Sequence, residues 1–215
     1  GLYREATAIY EALLEVAPNN PHLLYNLGNA YYKDDQLGRA IARYEQASRL
    51  LPRDEDILFN LRLARKQTRD KIDAPPQPLL QALSRAQRVL TIEEHTILAL
   101  ALYYAVTFVL LVRIAAPTRA GRRIVSKLFF PLIALLIVFG LSLGVRLYAH
   151  VAVKEGIVIP HEATVRSGPG QDFTEVFVVH EGTKARLRNA RGQWVQISLP
   201  NGLNGWVAAE DMEPL

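Results

Sequence analysis

The side chains able to do chemistry are scattered along this chain. The five histidines, His22, His95, His150, His161 and His180, fall in segments of different character, and none stands at a metal-ligand spacing from another. Cysteine is absent, which removes thiolate nucleophiles, Cys-ligated zinc and disulfide staples. Glu93-Glu94-His95 is the nearest thing to a cluster, and it reads as a polar cap at the mouth of an apolar helix. Ser167-Gly168-Pro169-Gly170 has the small residues of a nucleophile elbow but no plausible His–Asp pair beside it. The same glycines are not a phosphate loop, because no Lys-Ser/Thr opens a following helix. The chain is therefore expected to carry no catalytic residue, no metal and no cofactor, and to work by binding.

The concentrated chemistry is cationic. Arg113, Arg119, Arg122, Arg123 and Lys127 lie in fifteen residues without an acid, between two runs, 96–112 and 128–145, that hold no charge at all. A helix rising about 1.5 Å per residue crosses ~30 Å of hydrocarbon in ~17–25 residues, so both runs are long enough to span a bilayer. The net charge of +4 belongs to this short segment: residues 1–95 balance thirteen bases with thirteen acids, and 128–215 set seven against eight. That distribution is the positive-inside pattern, with these five residues determining topology, and it argues against nucleic acid as a partner. The basic loop is expected in the cytoplasm, with both soluble segments on the periplasmic or extracellular side of the inner membrane. With no export signal in view and Gly1 at the start, further sequence is expected upstream.

The first seventy residues repeat at a spacing of 34. Ala6, Tyr10, Glu11 and Pro18 recur as Ala40, Tyr44, Glu45 and Pro52, and Leu23 to Leu27 recurs as Ile57 to Leu61. With Leu24, Leu27, Gly28, Tyr31, Ala40, Tyr44, Ala47 and Pro52 in place, the pattern resembles the tetratricopeptide repeat (TPR). Gly28, Ala40 and Ala47 admit close helix approach, the tyrosines fill the space between helices, and Pro52 stops the second helix. The resemblance implies a concave groove lined by first helices, with Tyr25, Asn26, Asn29, Lys33, Phe59 and Asn60 as candidate partner contacts. Tyr25 and Phe59 read equally well as packing residues. Asp56 and Asn60 stand where a carboxylate clamp needs bases.

Beyond the repeats, residues 71–95 are expected to be a proline-rich linker leading into an amphipathic helix at the membrane surface, or a simple extension of the first span. From 156 onward the pattern turns to short β-type runs, 156–159, 163–166, 175–179, 184–189, 194–199 and 205–207, broken by Gly and Pro. Val165-Arg166-Ser167-Gly168-Pro169-Gly170, Gly182-Thr183, Trp194-Val195 and Gly205-Trp206-Val207 make this segment resemble the bacterial SH3-like (SH3b) domain. That resemblance implies a small barrel and an exposed groove for cell-wall peptides or proline-rich ligands. The candidate residues are Phe173, Phe177, Trp194 and Trp206, several of which serve equally as barrel core.

The expected fold class is thus a multidomain membrane protein. An all-α TPR solenoid (1–70) leads through the linker (71–95) into a two-helix transmembrane hairpin (96–116 and 128–149) around a basic loop (117–127). An all-β SH3-like barrel follows (156–215). This order resembles the BatE-type proteins of bacterial aerotolerance operons. That resemblance implies an envelope scaffold whose TPR groove holds another protein. The implied neighbours are membrane proteins with von Willebrand A-type (VWA) domains and a MoxR-type ATPase. Membrane lipid is a further partner, and peptidoglycan, bound or sensed through the SH3b segment, is the alternative ligand.

Overall fold

The computed structural model describes residues 1–72 and 90–215, in two compact units. One joins the N-terminal helices to the C-terminal sheet, and the other is the apolar helix pair. Most of the expected linker and the expected interfacial helix lie outside the described residues.

Four helices open the chain: α1 (Leu2–Val16), α2 (Pro21–Lys33), α3 (Leu37–Leu50) and α4 (Glu55–Gln67). Asn20 starts α2 by accepting the amides of His22 and Leu23 at 3.0 and 3.2 Å, with Pro21 in the first turn. Asp54 does the same for α4 at Ile57, at 3.0 Å. The repeat residues form the core expected of them. Leu27, Tyr31, Ala40, Ile41, Tyr44, Leu61 and Ala64 are buried together. A Cβ on Gly28 would stand 2.7 Å from the Tyr44 ring, so only glycine lets that ring seat. Tyr31 donates its hydroxyl to Glu11 of α1. Burial first, then the Glu11 hydrogen bond and charge, push the Tyr31 phenol up to about 12.

The sheet has seven strands, one more than the sequence suggested: β1 (Lys154–Val158), β2 (Glu162–Arg166), β3 (Glu175–His180), β4 (Lys184–Arg191), β5 (Trp194–Ser198), β6 (Asn204–Ala208) and β7 (Met212–Pro214). They are antiparallel in the order β3-β2-β6-β5-β4-β1-β7. The expectation of a closed barrel is corrected, because β3 and β7 remain edges. The β7 edge is covered by α3 instead. Arg43 reaches Glu213 at 2.5 Å, and the Gln46 amide donates to the Pro214 carbonyl at 3.2 Å. A helix over an edge strand blocks further pairing there.

Helices and sheet share their apolar cores. β1 buries Ile157 and Val158 on opposite faces; Val158 joins the sheet core, whereas Ile157 joins the TPR core. Ile72, just past α4, packs back onto the sheet core. At Gly38 a Cβ would lie 2.5 Å from the Val158 carbonyl, so this glycine permits the close approach of β1 to α3.

The second unit is an antiparallel pair, α5 (Ile92–Ala115) and α6 (Arg119–Ala152). Both are long and apolar enough to cross a membrane, with mean hydropathy of 2.3 and 2.6 over their best windows, and only 6% of each window is buried. That exposure is unlike the core helix of a globular domain. Thr91 and Glu94 form a reciprocal capping box at the start of α5, at 3.1 and 2.9 Å. The polar cap therefore centres on Thr91 and Glu94, while His95 is buried with its ring 4.7 Å from that of Phe139. The expected loop 117–127 is mostly helical, since α6 begins at Arg119 with the Thr118 hydroxyl accepting the Gly121 amide at 3.0 Å. A Cβ at Gly140 or Gly144 would meet nothing within 4 Å, so their spacing plays no part in packing α5 on α6.

Candidate functional site

Three of the six TPR candidates form one hydrogen-bonded network. The Asn60 amide donates to Tyr25 Oη at 3.0 Å and to Asn29 Oδ1 at 2.9 Å. Tyr44 donates its hydroxyl to the same Asn29 oxygen at 2.7 Å, and its ring lies 6.0 Å from that of Tyr25. The network ties α2, α3 and α4 together, and burial raises the Tyr44 phenol well above its ordinary range. Tyr25, Asn29 and Asn60 thus set the helix spacing from half-buried positions. Phe59, 58% exposed, and Lys33 stand free at the surface, and Asn26 is half-buried.

On the sheet, strand register sorts the aromatic candidates. Val195, Ile197 and Leu199 point into the core, which puts Trp194 and Gln196 on the opposite face. Trp206 pairs with Gln196, and Arg166 with Trp206, so all four share that outer face. Trp206 is nonetheless only 9% exposed, while Trp194 is half-buried. Phe177 pairs with Val165 and packs on the core. Phe173, 46% exposed, lays its ring over Gly168, where a Cβ would sit 2.3 Å away. Arg166 fixes this loop by donating to the carbonyls of Gln171 and Phe173 at 3.0 and 2.9 Å and to the Glu175 carboxylate at 3.0 Å. The structure therefore brings Trp194, Trp206 and Arg166 together and turns Phe177 away.

The residues that lock helices to sheet were not visible in the sequence. Asp70, just beyond α4, accepts the His180 amide at 2.8 Å and the Thr183 hydroxyl at 2.7 Å, and lies 2.7 Å from His180 Nδ1. Burial alone would push the Asp70 carboxyl up; the bonds from Thr183 and His180, with the His180 charge, outweigh it and hold the pKa below the ordinary value. Glu45 of α3, buried, pairs with Arg65 of α4 and with Lys184 of β4 at 3.3 Å. Lys184 also meets Glu155 at 2.9 Å. Burial pulls the Lys184 ammonium down, against the opposing pull of Glu155. A cleft of about 500 Å³ opens at this seam, lined by Leu37, Arg69, His161, Glu162 and Glu181 among others. Its polar side chains are partnered: Arg69 meets Glu162 at 3.2 Å, and His161 Nδ1 lies 3.0 Å from the Glu181 carboxylate. Among the described residues no three His, Asp or Glu side chains converge as a metal site would require.

The comparisons with known proteins divide along the same lines. Residues 1–65 match the family model described as tetratricopeptide repeat, and residues 161–213 match that of the bacterial SH3 domain. A curated relative, the putative N-acetylmuramoyl-L-alanine amidase YrvJ of Bacillus subtilis (strain 168), is 36% identical over 58 residues. That match covers 27% of this chain but only 11% of the relative, and it falls in the SH3 region alone. The chain carries a TPR segment and a bacterial SH3 domain, both of them non-catalytic binding domains, together with two apolar helices.

Proposed function

We propose that this protein is a membrane-anchored scaffold of the bacterial envelope that holds a partner protein on the α2–α4 face of its TPR segment. The observation that carries this reading is the exposed ring of Phe59, with Lys33 and Asn26, on helices held rigidly apart by the Tyr25–Asn60–Asn29–Tyr44 network. The chain's own strands β1 and β7 occupy α3, which leaves the first helices for a foreign ligand. A large aromatic ring left exposed on a rigid helix suits burial against a protein surface more than contact with a small solute. Anchoring comes from α5 and α6 as spans. The five cations Arg113 to Lys127 lie on the cytoplasmic side, and the TPR and SH3 domains face the periplasm. The resemblance to BatE-type proteins makes VWA-domain membrane proteins, working with a MoxR-type ATPase, the partners to test first. Crosslinking pull-down of the full-length protein from membranes is the test. Asn26→Ala with Lys33→Glu should lose the captured partner while the helical melt is unchanged; undiminished capture refutes the assignment.

A second reading rests on the sheet. Trp194, Trp206 and Arg166 share one face, and the similarity to an amidase falls on this domain. Cell-wall peptide is the ligand this reading selects. Co-sedimentation of the full chain with purified peptidoglycan, reduced by Trp194→Ala, supports it; absence from the pellet dismisses it.

A further inference from the structure

The cations between the apolar runs do not occupy a loop. Arg119, Arg122, Arg123 and Lys127 lie on the first turns of α6, and at about 100° per residue they fall within roughly 140° of one another around its axis. Ser126 lies inside the same arc. It accepts the Arg113 guanidinium from α5 at 3.0 Å and donates onward to the Arg122 carbonyl at 2.7 Å. Arg113 is held there by the rings of Phe129 and Phe130, at 5.5 and 6.0 Å. Two helices thus combine five cations into one face.

Among the described residues, no acid pairs with that face. From His95 to Val153 the sequence contains no Asp or Glu, and among the described residues none of the five forms an ion pair. Arg119 and Arg122 also lie in the first turn of α6, where the positive end of the helix dipole opposes them. Lys127 adjoins Leu128, where the apolar run begins. With α5 and α6 as spans, the reading this inference rests on, the inner part of the face lies in the headgroup layer, roughly 5–8 Å deep on each side of the hydrocarbon. Phosphate oxygens are the anions available at that depth, and guanidinium groups bind them with paired hydrogen bonds.

We infer that the Arg119–Arg122–Arg123–Lys127 face, completed by Arg113, is a binding site for the phosphate groups of anionic phospholipids. The test incorporates the full chain into vesicles of equal phosphatidylcholine and phosphatidylglycerol, extracts it in mild detergent and quantifies retained lipid by mass spectrometry. Phosphatidylglycerol should be enriched about tenfold on the wild type. Arg122→Gln with Arg123→Gln should bring the ratio near one, the matching lysine pair should keep most of it, and Arg186→Gln with Arg188→Gln on the sheet should leave it unchanged. A wild-type ratio near one, or one indifferent to the glutamine pair, overturns the inference. Flotation with pure phosphatidylcholine vesicles separates the two failures. A chain that floats but shows no preference still has its spans, whereas one that never floats loses both readings.

Discussion

Glu181 caps a helix from another domain. Its carboxylate, in the turn between β3 and β4, accepts the Gly38 amide at the start of α3 at 2.8 Å. The residue preceding α3, Gln36, makes no side-chain cap bond of its own, whereas Asn20 and Asp54 cap α2 and α4. The negative charge also faces the positive end of the helix dipole. Glu181→Ala should therefore cost about 0.5–2 kcal/mol, and Glu181→Gln should recover part of it. Tryptophan emission reports the sheet alone, because both tryptophans, Trp194 and Trp206, lie there. Far-UV circular dichroism is dominated by the helices. In melts of the full chain in detergent both signals should fall together in the alanine variant; a shift in one alone contradicts the cross-domain cap.

Asp70 makes the same seam sensitive to acid. Its carboxyl titrates below the ordinary value in the folded chain, so the unfolded state takes up its proton first. The stabilisation is complete above the unfolded value, about 3.9, and is lost as pH falls through the lower folded value. Asp70→Asn should lower stability at neutral pH, and its difference from wild type should shrink steadily below about pH 4. Denaturant midpoints across that range decide the matter. Two curves running parallel down to pH 2 would remove Asp70 from the acid response.

These contacts explain where the sequence was legible and where it was not. The 34-residue period exposed α1 to α4 because each repeat residue acts on a neighbour within the period, as Gly28 does beneath Tyr44. The alternation of Val195, Ile197 and Leu199 revealed β5 for the same local reason. The seam depends on pairs more than a hundred residues apart, such as Asp70 with Thr183 and Gly38 with Glu181, and no periodicity marks such pairs. Strand β7 was missed because three residues carry no alternation and become a strand only between β1 and α3. Of the binding candidates, Phe177 packs on the sheet core, a placement the sequence left open because an apolar residue on a short strand reads alike from either face.

Glu45 and Lys184 form the seam's buried ion pair, with Glu45 side-chain exposure of 7% and Lys184 of 30%. Removing Lys184 leaves the buried Glu45 with Arg65 as its remaining counter-ion and takes a cation from Glu155, so Lys184→Met should cost about 1–3 kcal/mol, less than breaking a fully buried isolated pair. Glu45→Gln should cost a similar amount, since it removes the carboxylate charge from both Arg65 and Lys184. The double variant should cost clearly less than the sum, and a double-mutant cycle on thermal midpoints measures that coupling. Strict additivity would mean that the pair contributes nothing to docking.

Arg166 holds the loop that frames the outer sheet face, spending three hydrogen bonds on Gln171, Phe173 and Glu175. A lysine at this position keeps the charge, but its compact ammonium lacks the planar fork that reaches three acceptors at once. Arg166→Lys should therefore loosen the Phe173 loop at a cost of about 1–2 kcal/mol to the sheet. Trp206 is the internal reporter, being directly across the ladder from Arg166 and only 9% exposed. Its emission should shift to the red and become open to acrylamide, with the helical melt nearly unmoved. If the outer face also grips cell-wall peptide, peptidoglycan retention should fall in the same variant, because a loosened Phe173 loop leaves Trp194 and Trp206 without a fixed rim. Unchanged emission with lost retention would instead place Arg166 in direct contact with the ligand, and unchanged retention with shifted emission would restrict it to a structural role.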